Sequence, residues 1–249
     1  VGELMILPES EYYRLLYTDE LGDDVGLDEV QLLDPPLEER VSALTVMLNS
    51  SDKYISYQSA LILTAWGKYI GLQKVEEFID KEVISNLGFS PHRITGEDNV
   101  YDELAYAIYL YELMEGDREN VVRLFKKLLA LYPKYFFQSK LKHSLLTSDF
   151  FELVPAIECA INEAFTFGRI YQASQLLPVL TKFDSEKGWC VVKRFIGLSE
   201  SVPDPAANVA EALKYCPFSN AKEILLRYSA SESPGVADEA IKSLAKLNN

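Results

Sequence analysis

Histidine, cysteine, methionine and tryptophan are all scarce in this chain of 249 residues, which holds two, three, three and two of them. With only His92 and His143 there is no H-E-x-x-H zinc motif and no Glu-x-x-His pair of the kind that holds a di-iron centre in a bundle. Cys159, Cys190 and Cys216 are odd in number and far apart, which excludes a disulfide framework and a Cys-x-x-Cys site. They read as reduced, structural thiols of a cytoplasmic protein, with Cys159 in PAIECAINEAF expected to be buried. No G-x-S-x-G elbow and no phosphate-binding glycine loop occurs. The apolar runs are short, Leu128–Tyr132 among them, and none approaches the roughly 20 residues that span a bilayer. The first residues, VGELMILPESEYY, lack the basic region of a signal peptide.

Basic charge is also short. Lys and Arg number 24 against 38 Asp and Glu, a formal net charge of −14. That balance argues against general nucleic-acid binding, which needs excess cations to displace counterions. The charge is unevenly placed. From Asp19 to Glu39 there are nine acids and no base. From Arg118 to Lys142 seven bases face the single acid Glu119. An acidic end and a basic middle follow.

What remains is helix after helix. Leu44–Leu48, the polar turn Asn49–Asp52 and a second apolar run from Ile55 form a helical hairpin, with Ser51 or Asp52 as N-cap. Further helices are expected over Glu9–Tyr17, Leu37–Leu48, Asp52–Ile70, Gln73–Ser85, Val100–Glu115, Arg118–Tyr132, Tyr135–Leu146, Asp149–Phe167, Arg169–Phe183 (kinked or split by Pro178), Glu186–Leu198, Pro205–Tyr215, Ser219–Tyr228 and Pro234–Leu247. Asn86–Asn99 is the clearest internal loop. Strict alternation bounded by hairpin turns is absent, so strands are not expected.

Leu48-Asn-Ser-Ser-Asp52 followed by Ile55, Ser59, Ala60 and Leu63 resembles the turn and second helix of a HEAT repeat, and Ser231–Leu247 repeats the spacing with Val236, Ala240, Ile241 and Leu244. The stretch AYAIYLYELMEGDRENVVRLFKKLLALYP resembles a tetratricopeptide unit, with Gly116-Asp117 at its turn, Phe125 mid-helix and Pro133 at its end. Phe167-Gly168-Arg169-Ile170-Tyr171-Gln172-Ala173 repeats that turn. The resemblance implies an all-α protein, a single helical-repeat domain over 1–249. Its acidic N-terminal segment is 1–35, and 36–249 form stacked antiparallel helical hairpins in a short right-handed α-solenoid of about 11–13 helices.

A solenoid without a catalytic constellation reads as a binding protein, with no cofactor, and the expectation is a non-enzymatic one whose partner is another protein of basic charge. The candidate partner-binding residues are Asp19, Glu20, Asp23, Asp24, Asp28 and Glu29, with Tyr12, Tyr13 and Tyr101 as exposed aromatic anchors. In charge and fold class the chain resembles the compact, acidic, helical immunity proteins with which bacteria neutralise nuclease toxins. A second reading places a small molecule between helices, near Trp66, Tyr101, Tyr109 or Trp189, and by fold class resembles helical-repeat lyases that act on tetrapyrroles. A third uses Arg118–Lys142 as a nucleic-acid surface, or docks it on the chain's own acidic segment. Glu76, Glu77 and Asp80 share one helix surface and read as a solvated face.

Overall fold

Asp52 begins the helix around which the first half of the molecule is built. Its carboxylate accepts the N–H of Tyr54 at 2.8 Å and of Ile55 at 3.4 Å, capping Lys53–Ala65. Every residue of that helix from Ser56 to Ala65 is buried, so it has no solvated face. Several polar side chains it carries inward find partners, while the hydroxyls of Tyr57 and Thr64 have none among the described residues. Ser56 donates to the Leu48 carbonyl at 2.6 Å, Ser59 to that of Ile55 at 2.8 Å, and the indole of Trp66, just beyond the helix, to that of Val30 at 2.9 Å.

The computed structural model describes residues 9–198 and 204–247. Within them the elements are α1 (Glu9–Tyr17), α2 (Gly26–Gln31), α3 (Glu38–Met47), α4 (Lys53–Ala65), α5 (Tyr69–Lys81), α6 (Val100–Glu115), α7 (Arg118–Leu131), α8 (Lys140–Thr147), α9 (Val154–Thr166), α10 (Ile170–Gln175), α11 (Leu177–Phe183), α12 (Ser185–Val192), α13 (Ala206–Leu213), α14 (Ser219–Tyr228) and α15 (Pro234–Leu247). A 3-10 turn at Phe151–Leu153 leads into α9. Among the described residues there is no strand; Thr18–Asp24 and Pro91–Asp98 form isolated bridges. The molecule is all-helical with neighbouring helices packed together, and it divides between Leu128 and Leu129, inside α7, into two compact units.

In the first unit α4 packs against α3, α5 and α6, and also against α1 and α2. Helix α4 is shorter than the expected Asp52–Ile70, and the reason is local. Gly67 has φ +72°, its N–H bonds the Thr64 carbonyl at 3.0 Å, and Lys68 N–H bonds the Leu63 carbonyl at 2.8 Å. These are the two bonds of a Schellman cap, which leaves the helix in the left-handed region that glycine enters most readily. The chain restarts at once as α5, four residues ahead of the expected Gln73. Gly71 then lies so close to α4 that a Cβ there would stand 2.5 Å from the Thr64 amide nitrogen.

The second unit has its own buried axis, α11, whose residues Leu177–Thr181 are all buried against α8, α9, α10, α12 and α13. Pro178 sits in the first turn of α11, where its missing N–H has no helical partner to lose, so Arg169–Phe183 is split at Leu176. The turn before it repeats the first unit's cap. Gly168 N–H bonds the Phe165 carbonyl at 3.1 Å, and Arg169 N–H bonds that of Ala164 at 2.9 Å. Helix α13 packs on α11 and is covered by α14 and α15, with Val209, Ala212, Ala221 and Ala240 buried.

Candidate functional site

The acidic segment has a definite conformation, held by one buried cation. Arg40, on α3, is 3 % exposed, and its guanidinium donates to three backbone carbonyls, those of Arg14 (3.1 Å), Thr18 (2.6 Å) and Asp19 (2.5 Å), and to the Thr18 hydroxyl at 3.4 Å. Burial pulls its pKa below the ordinary arginine value, and the neighbouring Arg14 adds to this, while Glu39, Asp19 and Glu11 oppose it. Asp19 turns the chain by accepting the N–H groups of Leu21 (2.8 Å) and Asp23 (2.9 Å) on one carboxylate oxygen. Val25 N–H returns to the Tyr17 carbonyl at 2.9 Å, and Tyr13 donates to the Asp24 carboxylate. That bond, first, and then partial burial and the Asp24 charge raise the Tyr13 pKa. Glu20, Asp23, Asp24, Asp28 and Glu29 are exposed, and Asp19 is half-buried.

Beside this segment, in the same unit, lies a cavity of about 450 Å³. Its walls come from the start of α2 with its preceding turn (Val25–Glu29), from Tyr54, Tyr57 and Leu61 of α4, from Phe89 and Ser90, and from Glu103 of α6. Phe89 reaches it from the loop between α5 and α6, and Asp98 shapes that loop. The Asp98 carboxylate takes the N–H groups of Gly88 (2.8 Å), Phe89 (3.4 Å) and Ser90 (2.8 Å). Asn99 N–H closes the loop on the Ser90 carbonyl at 2.8 Å. The rings meet at 5.1 Å for Tyr54 and Phe89 and 5.7 Å for Tyr57 and Phe89, both tilted. Tyr57 is 1 % exposed, and its hydroxyl has no hydrogen-bond partner among the described residues. Burial, followed by the negative charges of Glu103 and Asp98, then Tyr54 and Asp28, pushes its pKa well above the usual tyrosine value.

Of the residues singled out from sequence, Asp28 and Glu29 line the cavity. Asp19, Glu20, Asp23 and Asp24 belong to the neighbouring loop, Tyr12 is half-buried and Tyr13 is exposed. Tyr101 is a correction. It is fully buried, because it heads the inward stripe Tyr101, Leu104, Ala105, Ile108 of α6, and its hydroxyl meets that of Ser85 at 2.6 Å. Tyr54, Tyr57, Phe89 and Glu103 were not singled out. The i, i+3 spacing of the two tyrosines was a visible signal, whereas a phenylalanine in a polar loop points to no particular wall. Trp66 fills the core and does not line the cavity, nor do Tyr101, Tyr109 or Trp189.

Three of the seven bases of the basic stretch are paired inside their own units. Arg123 pairs with Glu76, and Lys127 with Glu76 at 2.7 Å and Asp80 at 2.6 Å. Lys142 pairs with Glu211 at 2.5 Å and donates to Asn208 at 3.0 Å. The carboxylates of α5, expected as a solvated face, are therefore ion-pair partners, and Glu77 bonds Lys74 and Lys81. Cys159 is a second correction. It is exposed, because the buried stripe of α9 runs Ile157, Ala160, Ile161, Ala164 and leaves it outside. Its thiol bonds Glu163 at 3.2 Å, and that bond with some burial raises its pKa, away from what a nucleophile needs. No group of three or more His, Cys, Asp or Glu is placed to share a metal ion among the described residues, and no helix there is long and apolar enough to cross a membrane.

No family model and no curated protein sequence matches the chain.

Proposed function

We propose that this is a non-enzymatic binding protein of the cytoplasm whose acidic N-terminal segment receives a basic protein, as an inhibitor or immunity-type protein neutralises a toxin or nuclease. The observation that carries the reading is the hold of Arg40 and Asp19 on residues 14–25. Carboxylates on a fixed backbone cost less to order on binding than carboxylates on a coil, and they steer a basic surface toward them. We infer the scaffold to be a short right-handed stack of helical hairpins. The repeated aromatic-Gly-basic turn, Trp66-Gly67-Lys68 in one unit and Phe167-Gly168-Arg169 in the other, supports it.

The test is capture from native lysate at low and moderate salt, with identification of what is retained. Basic proteins are expected on the wild type and not on the folded variant E20K/D23K. Equal retention by both, or none on either, defeats the reading. The cavity favours a second reading, a small-molecule site, because about 450 Å³ falls in the range of ligand pockets. A multi-degree thermal shift from one metabolite class would support it. For the nucleic-acid reading, the pairing of Arg123, Lys127 and Lys142 weighs against it.

A further inference from the structure

We propose that the basic partner docks along an aromatic strip beside the acidic loop and seats a large aromatic side chain of its own in the cavity. This rests on the protein-binding reading above and names the core of the surface that the exposed carboxylates flank.

The strip is continuous by contact. The rings of Tyr13 and Tyr17 on α1 lie 5.1 Å apart. The Tyr17 hydroxyl accepts from Gln58 of α4 and stands beside that of Tyr54, whose pKa is raised by burial first and by Tyr17 next. Tyr54 then meets Phe89 at 5.1 Å. Three separated stretches, α1, α4 and the loop before α6, thus bring their rings together. Tyr13 is 47 % exposed and Tyr54 38 %, while Tyr17 and Phe89 are half-buried. Single apolar side chains at a surface need no explanation, but four rings in one line of contacts mark an interaction site. Tyr13 ties the strip to the acidic loop by donating to the Asp24 carboxylate, and at the other end Tyr54 and Phe89 line the cavity. Interfaces place aromatic residues at the core and charge at the rim, and tyrosine is among the residues on which binding energy concentrates. The rim here is acidic. Glu20, Asp23 and Glu29 are exposed, and none of the three pairs with a base among the described residues. Such a rim fits a partner segment with lysine or arginine on either side of its anchor.

The anchor itself is a ring, not a cation. Asp28 and Glu103 stand in the cavity wall but have partners of their own. The wall still offers ring face from Tyr54 and Phe89 and aliphatic carbon from Val25, Leu27 and Leu61. An aromatic side chain meets such a wall in tilted contacts, the geometry that Tyr54, Tyr57 and Phe89 already adopt among themselves. It also brings a large contact area for few frozen torsions. Glu29 and Ser90, in the same wall, are oxygen acceptors for the single N–H of an indole, so tryptophan fits best.

The experiment uses the full chain with tyrosine and phenylalanine rings labelled for NMR, titrated with three end-blocked peptides, KGWGK, KGAGK and EGWGE. KGWGK should give saturable shifts at the rings of Tyr13, Tyr17, Tyr54 and Phe89. KGAGK, equal in charge, should bind at least about tenfold more weakly, and so should EGWGE, equal in its ring. Y54A, at an exposed position, should weaken KGWGK about three- to tenfold and spare KGAGK, with unchanged circular dichroism. Y13A, also at an exposed position, carries the same expectation, so the test does not hang on one variant. E29K should instead weaken both lysine peptides alike. Equal affinity for KGWGK and KGAGK, or unmoved rings, overturns the proposal. So does equal affinity for EGWGE, which would assign the cavity to a neutral aromatic molecule. The two readings fail separately. If E20K/D23K abolishes capture of basic protein while KGWGK leaves the rings unmoved, the aromatic anchor is wrong and the protein-binding face stands. If the rings respond to KGWGK and no basic protein is captured, the protein-binding reading fails and the ring site stands.

Discussion

Two segments of opposite charge, 19–39 and 118–142, have opposite fates in this molecule. The acidic one keeps Glu20, Asp23, Asp24, Asp28 and Glu29 at the surface and is fixed mainly through its backbone, by Arg40 and by the turn at Asp19. In the basic one, Arg123, Lys127 and Lys142 are spent on carboxylates of the same unit. Charge counted along a sequence is thus a poor guide to charge on offer. What decides is whether side chains or main chain hold the segment in place. Backbone anchoring leaves carboxylates such as Glu20, Asp23 and Glu29 exposed, although Glu38 pairs with Lys68 at 2.7 Å and Asp24 accepts from Tyr13, while side-chain anchoring cancels charge.

The comparison breaks first at Arg40. R40A leaves the carbonyls of Arg14, Thr18 and Asp19 without their buried donor and should cost about 3 kcal/mol or more. Urea unfolding measures the loss, and limited proteolysis should find new cuts between residues 18 and 25. R40K, which keeps the charge but not the fork, should recover only part of it. A stability unchanged within about 0.5 kcal/mol would mean that something other than Arg40 holds the segment.

On the basic side the largest effect belongs to Lys142 and Glu211, whose side chains are each 18 % exposed. Burial raises the Glu211 pKa, but Lys142 and Lys214 outweigh it, so the carboxyl lies below its ordinary 4.5. A depressed carboxylate contributes stability above its unfolded-state value and loses it as pH falls through the folded one. E211Q should therefore cost about 2 kcal/mol at pH 7, between the values for exposed and buried pairs. The gap between wild type and E211Q should narrow as pH drops below 4.5. Chemical denaturation at pH 7, 5 and 3.5 follows it, and a gap that does not change with pH would remove the ion pair as its cause.

Much of the fold was legible because helix ends carry local chemistry. Val100–Glu115, Ser219–Tyr228 and Pro234–Leu247 fall on the expected residues, and Pro178 splits its helix for a reason internal to proline. The cap at Trp66-Gly67-Lys68 was equally local but lay inside a continuous apolar run, which masked it. The site was less legible, because its walls come from four separated stretches and Phe89 is placed by the grip of Asp98 and Asn99 on the loop. Tyr101 and Tyr13 show the same limit. Both begin as tyrosines near acid-rich sequence, yet one is buried on Ser85 and the other is exposed on Asp24. Y101F removes the hydroxyl that meets Ser85 and keeps the ring, while Ser85 still donates to the Glu82 carbonyl at 2.8 Å, so it should cost about 1 kcal/mol in urea unfolding. The same change at Tyr13 should leave the unfolding midpoint unmoved.

The smallest effect on stability is the most direct test of the comparison. Replacing Glu76 by Gln and Asp80 by Asn removes the carboxylates that occupy Arg123 and Lys127. These groups are partly exposed, so water and salt screen the pairs, and stability should change by no more than about 1 kcal/mol. Surface charge should change far more than stability. Two cations on one face of α7, released from their partners, should give E76Q/D80N a salt-dependent retention on a heparin column that the wild type lacks. If the variant elutes with the wild type, the pairing of these side chains is not what silences the basic segment. Retention gained without loss of fold would show that the same helix can be a polyanion-binding surface or an internal brace. On that result, two carboxylates of α5 decide between the two.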